Sequence, residues 1–517
     1  MKKIVSGILA LLMIFSILCG CGNNGTQDEQ DNEVSGDTYE TNINLAYSKN
    51  DSLNPLECKS VINYQIGSLV FQGLYSLDEK YEPKKQLAVS DTAAGTFVSV
   101  TLGDFVYSDG TSITPEDVVS SFEKAKESSA YSGRLENFVS ASVASENSVK
   151  FTLERNDPYA LSCLDFPIVK VDENSNFPIG SGRYKFEKSG DNVYLIVNTK
   201  NTGFNPVAKT IKLVPVYDSE SVESSIVIGD TAFCYNDISD GDYTRLNAHT
   251  VDMGINSFVY LGINKDSSFL SNVAFRKAIN YCIDRDEIIS SAFRSHARKA
   301  CIPFNPDWYA LGSQSFDFSA DKAKAKSIIE DAGADIKSGQ ITLLYCTDNC
   351  FKSETGELIA GYLKDLGFSV YVKAYSLEAF EYDFEMGAYD IYLGEIKMTN
   401  NMDLKKLIEV EEAEETQSEA EQSETYNLHA YDEYENDDEE SAEDDSKSSN
   451  LTASERYSEF LAGKCELIDF INTFSDDVPL IPICYRNALV SYTNALTADY
   501  NPHDTDVFCD IETWSIK

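Results

Sequence analysis

One turn-to-helix stretch organises this chain: Asp109-Gly110-Thr111-Ser112-Ile113-Thr114-Pro115-Glu116-Asp117-Val118-Val119-Ser120-Ser121-Phe122. Asp-Gly is typical of a hairpin turn, because glycine adopts the positive φ that such turns require. Thr114 is a good N-cap residue, Pro115 suits the first helical turn, and the two acids that follow lie at the positive end of the helix dipole. The stretch therefore predicts a turn followed directly by a helix that continues to Lys126.

Strand and helix patterns alternate on both sides of this stretch. Period-2 or β-branched patterns predict strands at residues 41–46, 97–102, 148–153, 256–264, 342–345, 369–374, 389–393 and 480–483. Residues 180–186 predict a glycine turn that enters a further strand. Apolar residues at helical spacing predict helices at residues 62–74, 272–291, 320–332 and 357–366, and Gly73, Gly333 and Gly367 are expected to end three of them. Alternating strands and helices indicate an α/β protein with open sheets.

The N-terminus has the layout of a secretory signal. Lys2 and Lys3 precede a mostly apolar run over residues 4–18, and Leu18-Cys19-Gly20-Cys21 follows. This end is similar to a bacterial lipoprotein signal over residues 1–20, which implies cleavage before Cys21, a lipid on Cys21 and an anchor on the extracytoplasmic face of the cell membrane. The alternative is a transmembrane anchor, but the run is shorter than the roughly 20 residues that span a bilayer. The polar residues 21–39 predict a flexible tether.

Composition limits the possible partners. The chain has 517 residues and a formal net charge of −43, and 42% of its residues are hydrophobic. That length suggests two or more domains with ample material for a core. Nucleic acids and anionic lipid surfaces attract basic patches, so this charge argues against both as partners. We expect a monomer that reaches the membrane only through its lipid.

Cysteine and histidine positions do not suggest a metal site or a catalytic centre. Ten of the 12 cysteines remain after Cys19 and Cys21, and only Cys346 and Cys350 lie close together, without a second pair at zinc-site spacing. Cys282 and Cys484 lie in apolar runs and are expected to be buried thiols. The four histidines are far apart, and neither G-x-S-x-G nor H-E-x-x-H occurs. We therefore expect no cofactor, no metal and no enzymatic activity.

One acidic segment interrupts the alternating pattern. Residues 409–448 form a low-complexity insertion, and 18 Asp or Glu residues but no Lys or Arg lie between Glu409 and Asp445. Such a segment repels itself and has few apolar residues, so it is expected to be disordered or loosely ordered. A solvated spacer is the first interpretation. A loose lid over a cleft and a calcium-binding segment are alternatives, although no D-x-[DN]-x-[DN]-G loop occurs.

Four stretches, taken in order, resemble a known family. They are Val70-Phe71-Gln72-Gly73-Leu74-Tyr75, the turn-to-helix stretch, Gly180-Ser181-Gly182-Arg183-Tyr184, and Phe275-Arg276-Lys277-Ala278-Ile279-Asn280-Tyr281 with Asp284-Arg285. The chain resembles the extracytoplasmic solute-binding proteins of ABC importers in the peptide/nickel class, the oligopeptide- and dipeptide-binding family 5. The likeness covers most of residues 40–517. Each stretch also has a structural explanation, so together they indicate the family but not the ligand.

The resemblance implies a fold and a division into lobes. The implied fold is α/β and two-lobed, like a periplasmic binding protein of type II and the peptide-binding subclass, with open sheets and a hinged cleft. Lobe 1 would be residues 40–260 together with 486–517, and lobe 2 would be residues 261–485 with the acidic insertion inside it. The strands at 258–263 and 480–485 would be the crossings between the lobes.

The resemblance also implies where a ligand lies. In peptide-binding relatives an acidic residue holds the peptide amine shortly after a strand like that at 389–394. In this chain Ile396 occupies the usual Trp position and Thr399 the usual Asp position, so that carboxylate is missing unless Glu395 or Asp403 replaces it. The candidate ligand-binding residues are Lys59, Val61, Glu395, Ile396, Lys397, Thr399, Tyr485 and Arg486. Lys59, Lys397 and Arg486 would suit a ligand carboxylate; the alternative is a solvated surface charge at each position.

These observations predict a transport role. The expected function is a lipid-anchored substrate-binding component of an ABC importer, which captures a small solute, peptide or peptide-like, and delivers it to a membrane permease. A ligand-sensing receptor of the same fold, without transport, is the alternative. A secreted hydrolase is a weaker alternative, because no catalytic motif supports it.

Overall fold

The structure is a computed structural model that describes residues 43–172, 174–241, 245–317, 319–333, 340–408 and 451–517. The predicted signal peptide, the tether with Cys21, and the acidic insertion all lie outside these residues. Within the described ranges, no helix combines the length and the apolar character that crossing a membrane requires.

The described residues contain strands and helices in alternation, as the sequence predicts. The strands are β1 Ile43–Ser48, β2 Tyr75–Leu77, β3 Pro83–Lys85, β4 Ala88–Ala94, β5 Phe97–Leu102, β6 Phe138–Ser145, β7 Ser148–Leu153, β8 Tyr184–Ser189, β9 Asn192–Val197, β10 Thr210–Val216, β11 Phe233–Asn236, β12 His249–Ile263, β13 Ala297–Lys299, β14 Gln340–Cys346, β15 Ser369–Tyr375, β16 Ile391–Lys397, β17 Leu480–Tyr492, β18 Leu496–Thr497 and β19 Ser515–Ile516. The helices are α1 Val61–Val70, α2 Pro115–Glu127, α3 Ser219–Ile228, α4 Val273–Cys282, α5 Arg285–Ser291, α6 Lys322–Asp331, α7 Cys350–Leu366, α8 Leu377–Glu385, α9 Ala453–Leu461 and α10 Leu467–Asp477.

The strands of this part of the chain form three larger sheets and two small ribbons. One sheet has the order β1-β10-β9-β8 and a second has the order β4-β5-β7-β6. The third has the order β11-β17-β12-β16-β14-β15, with β13 paired to β17. β1 runs parallel to β10, and β14 runs parallel to both β15 and β16, whereas β12 is antiparallel to β16 and to β17.

Two long central strands connect the hydrophobic cores. Met253 and Ile255 of β12 belong to a first core, whose other buried members come from residues 43–233 and 488–514. Val259 and Leu261 of the same strand belong to a second core with helices α4 to α7. β17 runs alongside with every residue buried, and it too contributes to both cores. A third core lies on the opposite face of this sheet, around Phe258 and Tyr485.

The turn-to-helix stretch folds as its residues predict. Gly110 has φ 89° in the turn. The Thr114 side chain accepts a hydrogen bond from the Asp117 amide, and the Asp117 side chain accepts one from the Thr114 amide, so a complete capping box starts α2. Val118 and Phe122 face the first core and are fully buried. The polar start and the apolar face therefore act together to place this helix.

The prediction that a helix over residues 62–74 ends at Gly73 is wrong. α1 ends at Val70, and Phe71 is already extended. A Cβ on Gly73 would come within 2.8 Å of the Asp165 carbonyl oxygen, so this glycine permits two backbones to approach and does not cap a helix.

The prediction of one helix over residues 272–291 is also wrong. The chain forms α4 and α5 instead, because Ile283 is extended and the Asp284 carboxylate accepts a hydrogen bond from the Glu287 amide as the N-cap of a new helix. The helix predicted at residues 357–366 and the strand predicted at residues 480–483 are both present, but the observed elements are longer than the predicted ones. α7 begins earlier, after an Asn349 cap, and β17 extends to Tyr492.

Candidate functional site

A buried charged group, the Glu395 cluster, lies on the central sheet and consists of Ser257, Lys352, Glu395 and Arg486. Glu395 is on β16, Arg486 is on β17, and Ser257 is on β12 between those two strands. The Arg486 guanidinium and the Ser257 hydroxyl both donate to Oε1 of Glu395, the hydroxyl at 2.7 Å. Lys352, in the first turn of α7, places its Nζ 3.0 Å from Oε2.

The cluster is ionised and carries an excess positive charge. The side chains of Glu395 and Arg486 are only 12% and 6% exposed. Burial alone would raise the pKa of Glu395, but Arg486, Lys352 and the Ser257 hydroxyl outweigh burial and hold this pKa below its ordinary value. One carboxylate therefore meets two cations, and Lys352 is the more exposed of these cations, at 27%.

The cluster also contacts the segment that follows β11. Nη1 of Arg486 donates to the Asp237 carbonyl oxygen at 2.7 Å. The same segment meets the start of α7, where the Asn349 side chain donates to the Ser239 carbonyl and the Cys350 thiol donates to the Gly241 carbonyl at 2.8 Å. Residues 237–241 thus contact both β17, through Arg486, and the start of α7.

Asn256 holds the backbone after β16. Its side-chain Nδ2 donates to the carbonyls of Met398 and Thr399, both at 3.2 Å, and its Oδ1 accepts from Asn305 Nδ2 at 3.0 Å. The backbone amide of Asn256 donates to Asp504 Oδ2 at 3.0 Å. The Thr399 hydroxyl accepts from the Asp403 amide at 3.2 Å and is therefore already used within its own turn.

The residues after Thr399 are bonded to residues 155–165, the segment that follows β7. Asn400 donates to Asp165 at 3.0 Å, and Asn401 donates to Asp157 at 2.7 Å. Asp403 forms an ion pair with Arg155 and accepts from the Tyr457 hydroxyl at 3.3 Å. Both carboxylates that were candidates for holding a ligand amine, Glu395 and Asp403, are thus neutralised by basic side chains of the protein.

The other candidate residues lie in different surroundings. Ile396 and Tyr485 lie on the opposite face of the sheet, in or against the third core, and the buried Tyr485 hydroxyl donates to the Pro303 carbonyl at 3.1 Å. Lys397 is exposed at the end of β16. Lys59 is exposed before α1, with its amide bonded to Asp51 at 2.9 Å. Val61 at the start of α1 is 53% exposed.

Sequence reasoning missed Lys352, Ser257 and Asp237. Asn349 is a good N-cap residue, and recognising it would have moved the start of α7 forward and placed Lys352 in its first turn. Ser257 falls within the predicted strand 256–264, where a polar residue among apolar ones signals a buried partner. Asp237 contributes its backbone carbonyl, for which the residue type gives no signal.

Two cavities lie away from the Glu395 cluster. One, of about 10 Å³, is lined by residues that include Arg155, Asp157, Trp308 and Asn401. Burial raises the pKa of the Asp157 carboxyl to about 6. The other is an open cavity of about 490 Å³ along α5 and α7, whose lining contains no residue of the Glu395 cluster. Four of its lining residues are acidic: Glu287, Glu354, Glu357 and Asp365.

Comparison with known proteins gives a family match and distant relatives. The model for bacterial extracellular solute-binding proteins, family 5 Middle, matches residues 82–405. An ABC transporter peptide-binding protein of Brucella ovis is 27% identical over 299 residues, which are 51% of this chain and 56% of that protein. The glutathione-binding protein GsiB of Escherichia coli K12 is 22% identical over 322 residues, 58% of this chain and 62% of that protein. The chain thus spans between half and two thirds of the length of these curated relatives.

A solved structure supports the predicted fold over nearly the whole chain. The ABC transporter substrate-binding protein CtaP of Listeria monocytogenes superposes with a TM-score of 0.62 at 21% identity, covering 92% of this chain and 100% of that protein. At this identity the match speaks for the fold alone. It confirms the prediction of a two-lobed α/β binding-protein fold.

Proposed function

The chain belongs to family 5 of the bacterial extracellular solute-binding proteins, and on this premise we propose that it is the substrate-binding component of an ABC importer. It captures a small solute outside the cytoplasm and delivers it to a membrane permease. The names of two relatives, a peptide-binding and a glutathione-binding protein, favour a peptide or peptide-like solute. The Leu18-Cys19-Gly20-Cys21 sequence supports a lipid anchor on Cys21.

The paired strands β12 and β17 are proposed as the hinge between the lobes. Each contributes to both the first and the second core, so the bending of two strands would move one core relative to the other. The pairing of β12 with β17 is irregular between Gly254 and Phe258 and again between Val259 and Tyr260. Bulges of this kind bend a strand locally. The lobe boundaries near residues 260 and 486 follow from this proposal.

The Glu395 cluster is proposed as the anionic-ligand subsite. The observation that carries this proposal is the unequal charge: Glu395 is matched by both Arg486 and Lys352, which leaves one positive charge beside the strand crossing. A ligand carboxylate is the natural partner for that charge, because charge-assisted hydrogen bonds are the strong ones. Asp403 is already paired with Arg155, so its carboxylate would have to leave that ion pair in order to bind a ligand amine.

Within this proposal the candidate residues divide into three roles. Glu395 and Arg486 build the subsite, and Lys352 presents its charge at the surface of it. Tyr485 and Ile396 support the strands from the other face, because they pack against the third core. Lys59, Val61, Lys397 and Thr399 remain proposed wall residues that a bound solute would contact as the lobes close.

Native mass spectrometry of the protein purified from its own cells identifies a co-purified solute, and calorimetry measures its affinity after it is removed. We expect a compound with a carboxylate and at least one amide. Lys352→Gln is expected to weaken binding about 10- to 100-fold, since a hydrogen bond to a charged group contributes about 1.5–3 kcal/mol.

Two controls accompany this variant. Lys352→Arg keeps the charge and should retain most of the affinity. Lys322→Gln removes a lysine that is paired with Asp365 at 2.9 Å, away from the cluster, and should bind like the wild type. If Lys352→Gln binds the solute as tightly as the wild type, the anionic subsite is contradicted, whereas the importer role is not affected.

A further inference from the structure

Helix α8 lies on the protein with none of its residues buried. Large apolar side chains are exposed on it and on its flanks: Tyr371 is 49% exposed, Leu377 51%, Tyr382 65%, Phe384 39% and Met386 66%. We name these five residues, together with Glu378, Glu381 and Glu385, the α8 patch. Tyr382 and Met386 lie one turn apart on one side of α8, whereas Leu377 and Phe384 lie two turns apart on another side. Exposed apolar side chains beside polar groups commonly mark an interaction site.

The α8 patch is held firmly in place. The ring of Phe384 stacks on Phe380 at 6.1 Å and on Tyr389 at 5.7 Å, and it meets Tyr392 edge-on at 4.8 Å between ring centroids. The Tyr392 hydroxyl lies 3.0 Å from the Tyr260 hydroxyl inside the third core. A chain of aromatic contacts therefore anchors an exposed surface to the central sheet, and a surface that is already ordered loses little entropy on binding.

Lys373 holds the C-terminal part of α8 in place. Its Nζ bonds to Asp383 at 2.9 Å and to the Ala388 carbonyl at 2.7 Å. Both groups lie at the C-terminal part of the helix and the turn after it. The exposure of the apolar side chains is thus compatible with a fixed backbone, which a docking surface needs.

In the described part of the chain no ion pair holds the three carboxylates of the patch, although Glu378, in the first turn of α8, is favoured by the helix dipole. Among the ion pairs of the described residues, none involves Glu378, Glu381 or Glu385, whereas Asp383 is paired with Lys373. Glu385 lies at the C-terminal end of α8, where the helix dipole disfavours a negative charge, and the last turn carries no basic residue. The three carboxylates are available to basic groups of a partner.

Charge decides which partner fits the patch. With a net charge of −43, a second copy of this chain would be repelled, and an anionic lipid surface would be repelled as well. The 18 acids of the sequence between Glu409 and Asp445 likewise oppose docking of that segment on an acidic surface. A protein segment with lysine or arginine beside apolar side chains satisfies both the carboxylates and the apolar rings.

We propose that the α8 patch is the docking surface for a basic, partly apolar segment of a partner protein. This surface is separate from the Glu395 cluster, and the proposal stands whether or not the protein delivers a solute. The aromatic rings provide the contact area, and the three carboxylates determine which partner binds and in which orientation.

Site-specific photocrosslinking in the native cells tests this. The full chain is produced with p-benzoylphenylalanine in place of Tyr382 or Met386, and, as controls, in place of Val207 or Ile228, which are 64% and 71% exposed elsewhere. We expect both patch positions, and neither control, to crosslink to one protein, with the crosslinked segment carrying lysine or arginine among apolar residues. Crosslinks to a second copy, to this chain itself or to lipid, or none above the controls, would overturn the proposal.

Charge reversal provides the second measurement. Glu381→Lys with Glu385→Lys is expected to lower the crosslink yield at Tyr382 at least about tenfold. The matched control, Glu123→Lys with Glu330→Lys, changes the total charge equally at two exposed helical positions and should leave the yield unchanged. Equal losses in both doubles would show that only the overall charge matters and would contradict a specific docking surface. Should the patch double fail to fold, Glu385→Gln serves with the same readout.

Discussion

Glu395 is a candidate ligand contact in the sequence, but in the structure its carboxylate is bonded to other side chains of the protein. Its carboxylate is held by Arg486, Lys352 and Ser257, so its charge is already used inside the protein. The resemblance makes Glu395 a candidate for binding a ligand amine, but in the structure Glu395 orients the side chains of Lys352 and Arg486. In the subsite proposed above, this arrangement would favour a ligand carboxylate over a ligand amine.

Replacing Glu395 should reveal this internal role. Glu395→Gln leaves the Arg486 guanidinium buried without a counter-charge, which typically lowers the free energy of unfolding by about 3–5 kcal/mol. Glu357→Gln, at an exposed position of α7, is the control and should change it by less than about 0.5 kcal/mol. Urea unfolding followed by circular dichroism measures both, and equal stability of the two variants would show that the cluster adds nothing.

Asp157 predicts a pH dependence of stability. Burial raises its pKa from 3.8 to about 6, so the folded protein binds a proton more tightly than the unfolded chain does. The folded state is therefore favoured below the unfolded pKa, and this contribution is lost as the pH rises through about 6. Its size is about 3 kcal/mol, because each pKa unit corresponds to about 1.4 kcal/mol.

The comparison with Asp157→Asn isolates this effect. The amide stays uncharged, and its oxygen can still accept the hydrogen bond from the Tyr159 amide. Its NH2 group cannot accept the bond that Asn401 donates to the second carboxylate oxygen, but that loss is the same at every pH. We expect the difference in unfolding free energy between variant and wild type to grow in favour of the variant between pH 4 and pH 7. A difference that is independent of pH would contradict the raised pKa.

At the scale of elements, close backbone approach explains the glycines around α1. Gly182 donates its amide to the Val70 carbonyl at 2.8 Å, and a Cβ there would lie 2.5 Å from the Val70 carbonyl carbon. Gly182→Ala is expected to lower the free energy of unfolding by about 1–3 kcal/mol, as overpacking does. Gly203→Ala, where a Cβ meets nothing within 4 Å, is the matched control. Thermal unfolding of the two variants at equal midpoints would contradict this account.

Elements with complete local signals could be predicted from the sequence. Thr114, Pro115 and Asp117 fix the start of α2 by themselves, and β5 and β7 are found at their observed bounds. The break between α4 and α5 was missed because Ile283 fits the helical period and its extended backbone is set by the new cap at Asp284. Long strands were underpredicted, since β17 is buried on both faces and therefore lacks an alternating pattern.

The candidate site could be predicted only in part, for reasons of tertiary structure. Glu395 and Arg486 were found through the resemblance. Their strands, β16 and β17, lie on either side of β12, and their long side chains meet across it. Lys352 was missed because it comes from a helix on the second core. Asp237 acts through its carbonyl, and no pattern of residue types encodes such a contact.

At the scale of the whole molecule, the N-terminal sequence makes a separate prediction. Cys21→Ser removes the sulfur that a lipid would modify, so the protein should move from the membrane fraction to the soluble extracytoplasmic fraction. Fractionation of cells followed by immunodetection measures this, with Cys19→Ser as a neighbouring control that should stay on the membrane. A Cys21→Ser protein that remains on the membrane would contradict a lipid anchor.

The central claim is that this member of family 5 captures a solute for import. The most direct measurement compares cells of the native organism that lack this gene with cells that carry it again, both grown on a defined mixture of short peptides. Mass spectrometry of the medium follows which compounds disappear. The claim predicts that a distinct set of compounds is consumed only when the protein is present. Equal consumption of every compound by both strains would contradict it.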